Sequence, residues 1–360
     1  MMQEVYTDTF CSVNILQWIR RNYVMWTPAL GRKGERMKKK LFISLIILLI
    51  SLCFLACENN KINKDAQSIT VKNNNFSQKF ISKNFKNLNE IIFEKCKMER
   101  YDLSKIGDKI EIIKIKYSDS SELYLTDICT CSKLIIEHSE IKQLNLEKFP
   151  NIKELSTWYT PIESCYIPYK NEIQRCSFIN SKIDDLQSLK NLSNVIEFDI
   201  SQENLNKTYD VSFIKDFSYL TKARFSSNFY VTEDILNVID LKIDGVENFN
   251  STSSIMKFKN LRKLYYDLGY EESFPVDLFN LKELEELTFF ETKIKDFPID
   301  FTNFRKLKEL TIISFMEIIM SKDILMPASL TDFYTNISCE DIDYCKKNNP
   351  NVNFHCDLEV

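Results

Sequence analysis

Two stretches of this chain are copies of each other, 23 residues apart. The first reads Phe274-Pro275-Val276-Asp277-Leu278-Phe279-Asn280-Leu281-Lys282-Glu283-Leu284-Glu285-Glu286-Leu287-Thr288-Phe289. The second reads Phe297-Pro298-Ile299-Asp300-Phe301-Thr302-Asn303-Phe304-Arg305-Lys306-Leu307-Lys308-Glu309-Leu310-Thr311-Ile312. The same step backwards lands on Ile255, Phe258, Leu261, Leu264 and Tyr266, and forwards on Ile324, Leu330 and Phe333. A period of this length marks a solenoid. One copy cannot bury its apolar side alone, so each must stack on the next.

The register extends towards the N-terminus. Windows begin at Ile110, Cys131, Ile152, Ile173, Val195, Leu220, Val238, Leu261, Leu284, Leu307 and Leu330. Slots one, four and six of each window are apolar, except for Thr157 and Thr335. Slots four to six form a short strand with alternating sides. Phe274-Pro275 and Phe297-Pro298 mark where the chain turns into its return path, because proline cannot donate to a strand ladder. This pattern resembles the leucine-rich-repeat signature L-x-x-L-x-L-x-x-N-x-L, read here as Leu284-x-x-Leu287-x-Phe289-x-x-Thr292-x-Ile294.

The resemblance implies an α/β solenoid: parallel strands on a concave face, short helices or irregular turns on the convex face, and a capped end. Slot nine is Asn in the family, bonding the loop backbone. Here Ser118, Ser139, Thr160, Ser181, Asn228, Thr292 and Ser338 can do this. Glu203, Val246, Gly269 and Phe315 depart from it, and residues 195–255 should hold the most distorted repeats. Repeats are expected over 107–338, a helical N-cap over 79–106 and a C-terminal cap over 339–360. In the C-cap, Cys339–Lys347 reads as a helix and Val352, Phe354 and Cys356 as a closing strand.

The N-terminus reads as an address. Met37-Lys38-Lys39-Lys40 precedes the apolar run Leu41–Leu55, which ends in Phe54-Leu55-Ala56-Cys57. A basic start, a short apolar core and a small residue before the cut describe a secretory signal over 37–56. With Cys57 next, it resembles a bacterial lipoprotein signal, which implies lipidation of Cys57 and an anchor in the cell envelope. An uncleaved membrane helix is the alternative, although the run sits at the short limit for spanning. Residues 1–36 read as an upstream extension of the true start at Met37, or as a genuine extension of the signal. Residues 57–78 read as a solvated tether.

Beyond residue 57 the chain carries 39 basic and 48 acidic residues, a poor match for nucleic acid. Only Gly107, Gly245 and Gly269 lie there, so no glycine-rich phosphate loop is expected. Cys131 and Cys176 sit in core slots as thiols. A bridge Cys345–Cys356 is expected in the C-cap, and Cys96–Cys129 could tie down the N-cap. Cys129-x-Cys131 with His138 lacks the second ligand pair of a zinc site. No metal, cofactor or catalytic residue is expected.

Outward strand slots carry large apolar groups. In the C-terminal half these are Tyr265, Phe290, Ile313 and Tyr334, where the register is firmest; in the N-terminal half they include Trp158 and Tyr159. Exposed aromatics anchor interfaces. The expected function is therefore an envelope-anchored, monomeric module binding a protein or glycan on its concave face. A structural component of an envelope assembly, using the convex face or the caps, is the alternative. An enzyme would need a deep pocket with convergent polar groups.

Overall fold

A computed structural model describes residues 65–106, 109–183, 185–202, 207–226, 228–244, 252–267, 274–290, 294, 298, 300–314, 319–336, 338–339 and 342–356. The expected extension, signal, Cys57 and the slots at Glu203, Val246, Gly269 and Phe315 lie outside these residues.

Fourteen parallel strands form one sheet in strict chain order. They are β1 (Ser68–Lys72), β2 (Glu90–Glu94), β3 (Ile112–Lys116), β4 (Lys133–Glu137), β5 (Glu154–Trp158), β6 (Arg175–Ser181) and β7 (Glu197–Gln202). Then follow β8 (Lys222–Phe225), β9 (Asp240–Ile243), β10 (Lys263–Asp267), β11 (Glu286–Phe290), β12 (Glu309–Ile312), β13 (Asp332–Thr335) and β14 (Asn353–His355). From β3 to β13 each strand starts two residues into its window. The repeat frame read from Leu, Ile and Phe spacing is therefore the strand register: Leu264 pairs with Leu287, Leu287 with Leu310, and Leu310 with Phe333.

Slots four and six point inward and are buried along the whole sheet. Each buried aliphatic group of this kind contributes roughly 1.5–3 kcal/mol. Thr157 is tolerated in a core slot because its hydroxyl donates to the Ser177 carbonyl at 3.5 Å. The return segments stay short, as in the 3-10 turns Leu186–Leu189, Ser212–Asp216 and Val276–Asn280. Pro275 precedes the last of these, and Leu278 packs inward from it.

The N-terminal end departs from the expected cap. Residues 68–72 belong to β1, not to a tether, and residues 90–94 belong to β2, not to a helix. There α1 (Gln78–Asn84), capped by the Ser77 side chain on the Phe80 amide, bridges two strands as a return segment, and the 3-10 turns Met98–Arg100 and Leu103–Lys105 follow β2. Ile69 and Val71 alternate inward, and Ile91 and Phe93 extend that column. A short β-branched run reads equally as strand or buried helix, and here tertiary stacking decides. Two further helices are brief, α2 (Thr252–Ile255) and α3 (Ile342–Asn348). Strand β14 pairs in parallel with β13 at the far edge. The strand registers of 197–200, 222–225 and 240–243 run unbroken; among the described residues a register shift falls earlier, between Phe178 and Ser181 of β6 against β7.

Slot nine forms a buried hydroxyl ladder. Ser118 Oγ donates to the Cys96 carbonyl at 2.8 Å, and the Ser118 amide donates to Ser139 Oγ at 3.1 Å. Ser139→Ala leaves that amide buried without a partner. Urea melts should show a loss of about 1–3 kcal/mol; a loss under a few tenths would mean that the ladder is incidental.

The cysteines correct two expectations. Cys345 is disulfide-bonded, but Cys356 keeps its thiol, so the pairing of these two does not form. Cys345 is buried on α3 against the carbonyls of Ser321 and Lys322, whereas Cys356 follows the edge strand β14. Cys96 and Cys129 are both buried thiols, Cys96 against the Val71 carbonyl of the preceding strand and Cys129 beside Cys131. Cys131 and Cys176 are buried thiols in core slots.

Candidate ligand-binding face

At the end of each of the first six strands, slot eight holds a residue with positive φ. These are Asn73 (51°), Lys95 (54°), Tyr117 (55°), His138 (47°), Tyr159 (49°) and Asn180 (52°). The turn lifts the chain out of the strand. It also lets each backbone amide reach across: Tyr117 N–H donates to the Glu137 carbonyl at 3.0 Å, and His138 N–H to the Trp158 carbonyl at 2.8 Å. For a residue with a Cβ this conformation costs roughly 1–2 kcal/mol, and only Asn or Asp visits it readily. Asn73 and Asn180 fit that rule. Lys95, Tyr117 and Tyr159 do not, and histidine stands between, being found there more often than most residues.

Those three rings stack. Tyr117 and His138 lie 5.3 Å apart at 12°, and His138 and Tyr159 lie 4.9 Å apart at 4°. Tyr117 is 52% exposed, Tyr159 53%, and the adjacent Trp158 50%. Ile135 and Ile179 occupy concave slots on neighbouring strands and are half-buried. The result is a half-exposed aromatic rim along the N-terminal half of the sheet.

The C-terminal residues are more covered. Tyr265 lies under Lys242 Nζ, 4.1 Å from its ring centroid, and beside Phe290 at 5.8 Å. Tyr334 stacks on His355 at 4.4 Å and 11°. Thr288 and Thr311 separate Tyr265 from Tyr334 in register, so these rings do not share one patch. Ile313 is half-buried next to Phe290's strand. His138 was legible only as an isolated histidine in the sequence. Its spacing of 21 from both tyrosines places it in the same outward slot eight, and that is the signal in the sequence.

Between the two halves lies a charged strip. Slot three alternates sign, pairing Lys133 with Glu154, Arg175 with Glu197 at 3.3 Å, Lys222 with Glu197 at 3.4 Å, and Lys263 with Glu286 at 2.6 Å. Exposed pairs of this kind contribute at most about 1 kcal/mol each. Their regularity sets strand partners more than stability.

Slot five carries Asp199 at the middle of the face. Its neighbours Arg224 and Lys242 are engaged by Asp244: Arg224 reaches it at 2.5 Å and Lys242 at 3.4 Å. Arg224 stands 4.0 Å from Asp199. Burial pushes the Asp199 carboxyl up to about 6, with Asp244 adding repulsion, against the pull of Arg224, Lys242 and Ser177. The fold thus binds the proton more tightly than the unfolded chain does. Stability should rise as pH falls from about 6 towards 4, and the full penalty applies above 6. Urea melts at pH 7.5 and 5 check this. Asp199→Asn should flatten the difference and add roughly 2–3 kcal/mol at pH 7.5. Asp240, also raised by burial, leaves a smaller slope of the same sign.

Among the described residues no group of three His, Cys, Asp or Glu side chains is placed to hold a metal. Nor is any helix there long and apolar enough to cross a membrane.

No protein-family model matches the sequence, and no curated protein matches it. Solved structures do. TLR13 in its complex with ssRNA13 is similar at a TM-score of 0.54 and 14% identity, over 80% of this chain and 49% of that one. The chain thus spans about half the length of that protein. An internalin from Listeria monocytogenes matches at 0.42 and 13% over 79% and 89%, and a leucine-rich-repeat protein of Leptospira interrogans at 0.44 and 13% over 81% and 96%. The fold is a leucine-rich-repeat solenoid, an α/β horseshoe of parallel strands.

Proposed function

We propose that this protein is a binding module, held outside the cytoplasm by a lipid on Cys57, that recognises a protein partner through its aromatic rim. One observation carries the reading. Tyr117 and Tyr159 occupy positions where Asn would cost less, His138 stacks between them, and all three lie exposed at the surface. Strain retained at a surface is a mark of function. Trp158 beside them supplies the kind of anchor on which interfaces depend. Tyr265, Phe290, Ile313 and Tyr334 extend the face as secondary contacts. A glycan could use the same rings, and the solenoid neighbours support binding only through their shared fold.

A second reading has its own observation. Tyr166 and Tyr169 lie on the return side between β5 and β6, and Tyr169 is 82% exposed. A structural role in an envelope assembly would use that side.

Photo-crosslinking in intact cells separates the two. A benzoylphenylalanine at position 158 should give a discrete adduct, and one at position 169 should not. Adducts from 169 alone would transfer the function to the convex side. Mass spectrometry of the mature N-terminus tests the anchor: a diacylated Cys57 supports it, and a chain that starts earlier removes it.

A further inference from the structure

The first turn of the solenoid differs in charge from everything after it. Residues 58–89 carry six lysines, Lys61, Lys64, Lys72, Lys79, Lys83 and Lys86, against two acids, Glu58 and Asp65. Residues 90–360 carry the remaining 33 basic and 46 acidic residues. A net charge of +4 at this end thus stands against −13 in the rest. Three of the lysines share one surface. Lys79 and Lys83 lie one helical turn apart on α1, with Ser82 between them, and Lys86 follows the helix; all four side chains are exposed. Nearby lysines on the strands pair with carboxylates of the adjacent strand, Lys72 with Glu94 at 3.2 Å and Lys114 with Glu90 at 2.8 Å. Among the described residues Lys79, Lys83 and Lys86 have no such partner. Like charges four residues apart on a helix repel, so the arrangement costs stability unless an anion meets it. The patch also lies where the chain enters the solenoid. Strand β1 is the edge of the sheet. The amides of Asn89 and Glu90 donate to the Gln67 carbonyl at 2.8 and 2.9 Å, which sets the residues after Lys86 beside those before β1. From Cys57 to Asp65 is eight residues, a reach of at most about 29 Å when fully extended.

We infer that the first turn is a membrane-docking face, on which Lys79, Lys83 and Lys86 rest against anionic phospholipid headgroups beside the anchor. This rests on the reading that Cys57 carries a lipid, but uses residues separate from the aromatic rim. The field of an acidic bilayer dies away within a Debye length, about 8 Å at physiological salt. Lysines respond to it only if something brings them to the surface, and a lipid on Cys57 with so short a tether does that. Acyl chains and a basic patch reinforce each other as anchoring signals. The acidic remainder of the chain is repelled by the same field, so the later repeats are held off the bilayer. Tyr117 follows β3, so the aromatic rim begins two strands away from the docked end.

Acetylation footprinting tests this on the mature chain reconstituted in vesicles, one set of phosphatidylcholine alone and one with phosphatidylglycerol added. At low salt Lys79, Lys83 and Lys86 should react roughly fivefold slower or more on the acidic vesicles. Lys346 and Lys347, exposed on α3 at the far end, should react equally on both. High salt should erase the difference. A benzoylphenylalanine at position 82 should give a phosphatidylglycerol adduct. Lys79→Gln, Lys83→Gln and Lys86→Gln together should lower its yield roughly fivefold or more without lowering the melting midpoint. Equal rates on the two kinds of vesicle, or an adduct yield that survives the triple change, overturns the inference. A protein adduct from position 82 in intact cells, in place of lipid, overturns it too and passes the patch to a protein partner. Acylation of Cys57 is read separately by mass, so protection without acylation keeps the docking face and removes only the anchor.

Discussion

Phe198→Ala should cost about 3–5 kcal/mol, the usual range for deleting a buried ring. Phe198 sits in core slot four of β7 and is fully buried. Its ring meets Phe213 at 6.2 Å and 84°, Phe217 at 5.9 Å and 81°, and Phe225 at 6.5 Å and 67°. These edge-on contacts join the strand to the return segment Ser212–Asp216 and to the next repeat. Its register neighbours are small: Cys176 on β6 and Ala223 on β8. Neither register neighbour is large enough to fill the hole. In a solenoid each repeat contacts only its neighbours, so one weak interface separates two halves. Urea unfolding of the variant should therefore start earlier and split into two transitions, with a lower apparent m for each. A single sharp transition displaced by less than 1 kcal/mol would mean that the Phe213–Phe217 cluster closes over the gap.

The fold was legible because its information is local and repeated. A slot such as Leu287 is constrained by Leu264 before it and Leu310 after it, so the frame corrects itself over many copies. The ends were less legible for the same reason. Ile69–Val71 and Ile91–Phe93 have few copies to align with, and a three-residue apolar run carries no decisive period. The Cys345–Cys356 pairing failed because sequence proximity does not report which side of α3 a thiol faces. The site was legible by half. Trp158 and Tyr159 were visible as large groups in outward slots, but the cover over Tyr265 and Tyr334 depends on Lys242, Phe290 and His355, which lie one or more repeats away. Positive φ at slot eight left a mark in residue type only at Asn73, His138 and Asn180, since lysine and tyrosine are not what that backbone prefers.

Replacing Tyr117, His138 and Tyr159 together by Asn should separate binding from folding. Each Asn accepts positive φ at lower cost than an aromatic residue, a gain of up to about 1–2 kcal/mol per site. Against this, two stacked contacts disappear, each contributing about 0.5–1.5 kcal/mol. The terms oppose each other and the gain is at least as large as the loss, so the melting midpoint should not fall. Binding should not be spared. Truncating aromatic anchors at an interface commonly costs 2 kcal/mol or more for a central residue, on the order of thirtyfold. With three rings gone and Trp158 left without its rim, the crosslink from position 158 should fall to background while the protein stays folded. An Asn triple variant that keeps the adduct would show that the rings serve the backbone turn alone. A triple variant that unfolds would make the stack a structural clamp. The rim is a binding surface if binding falls and stability holds, because only a surface kept for a partner would retain strained aromatics where asparagine folds as well.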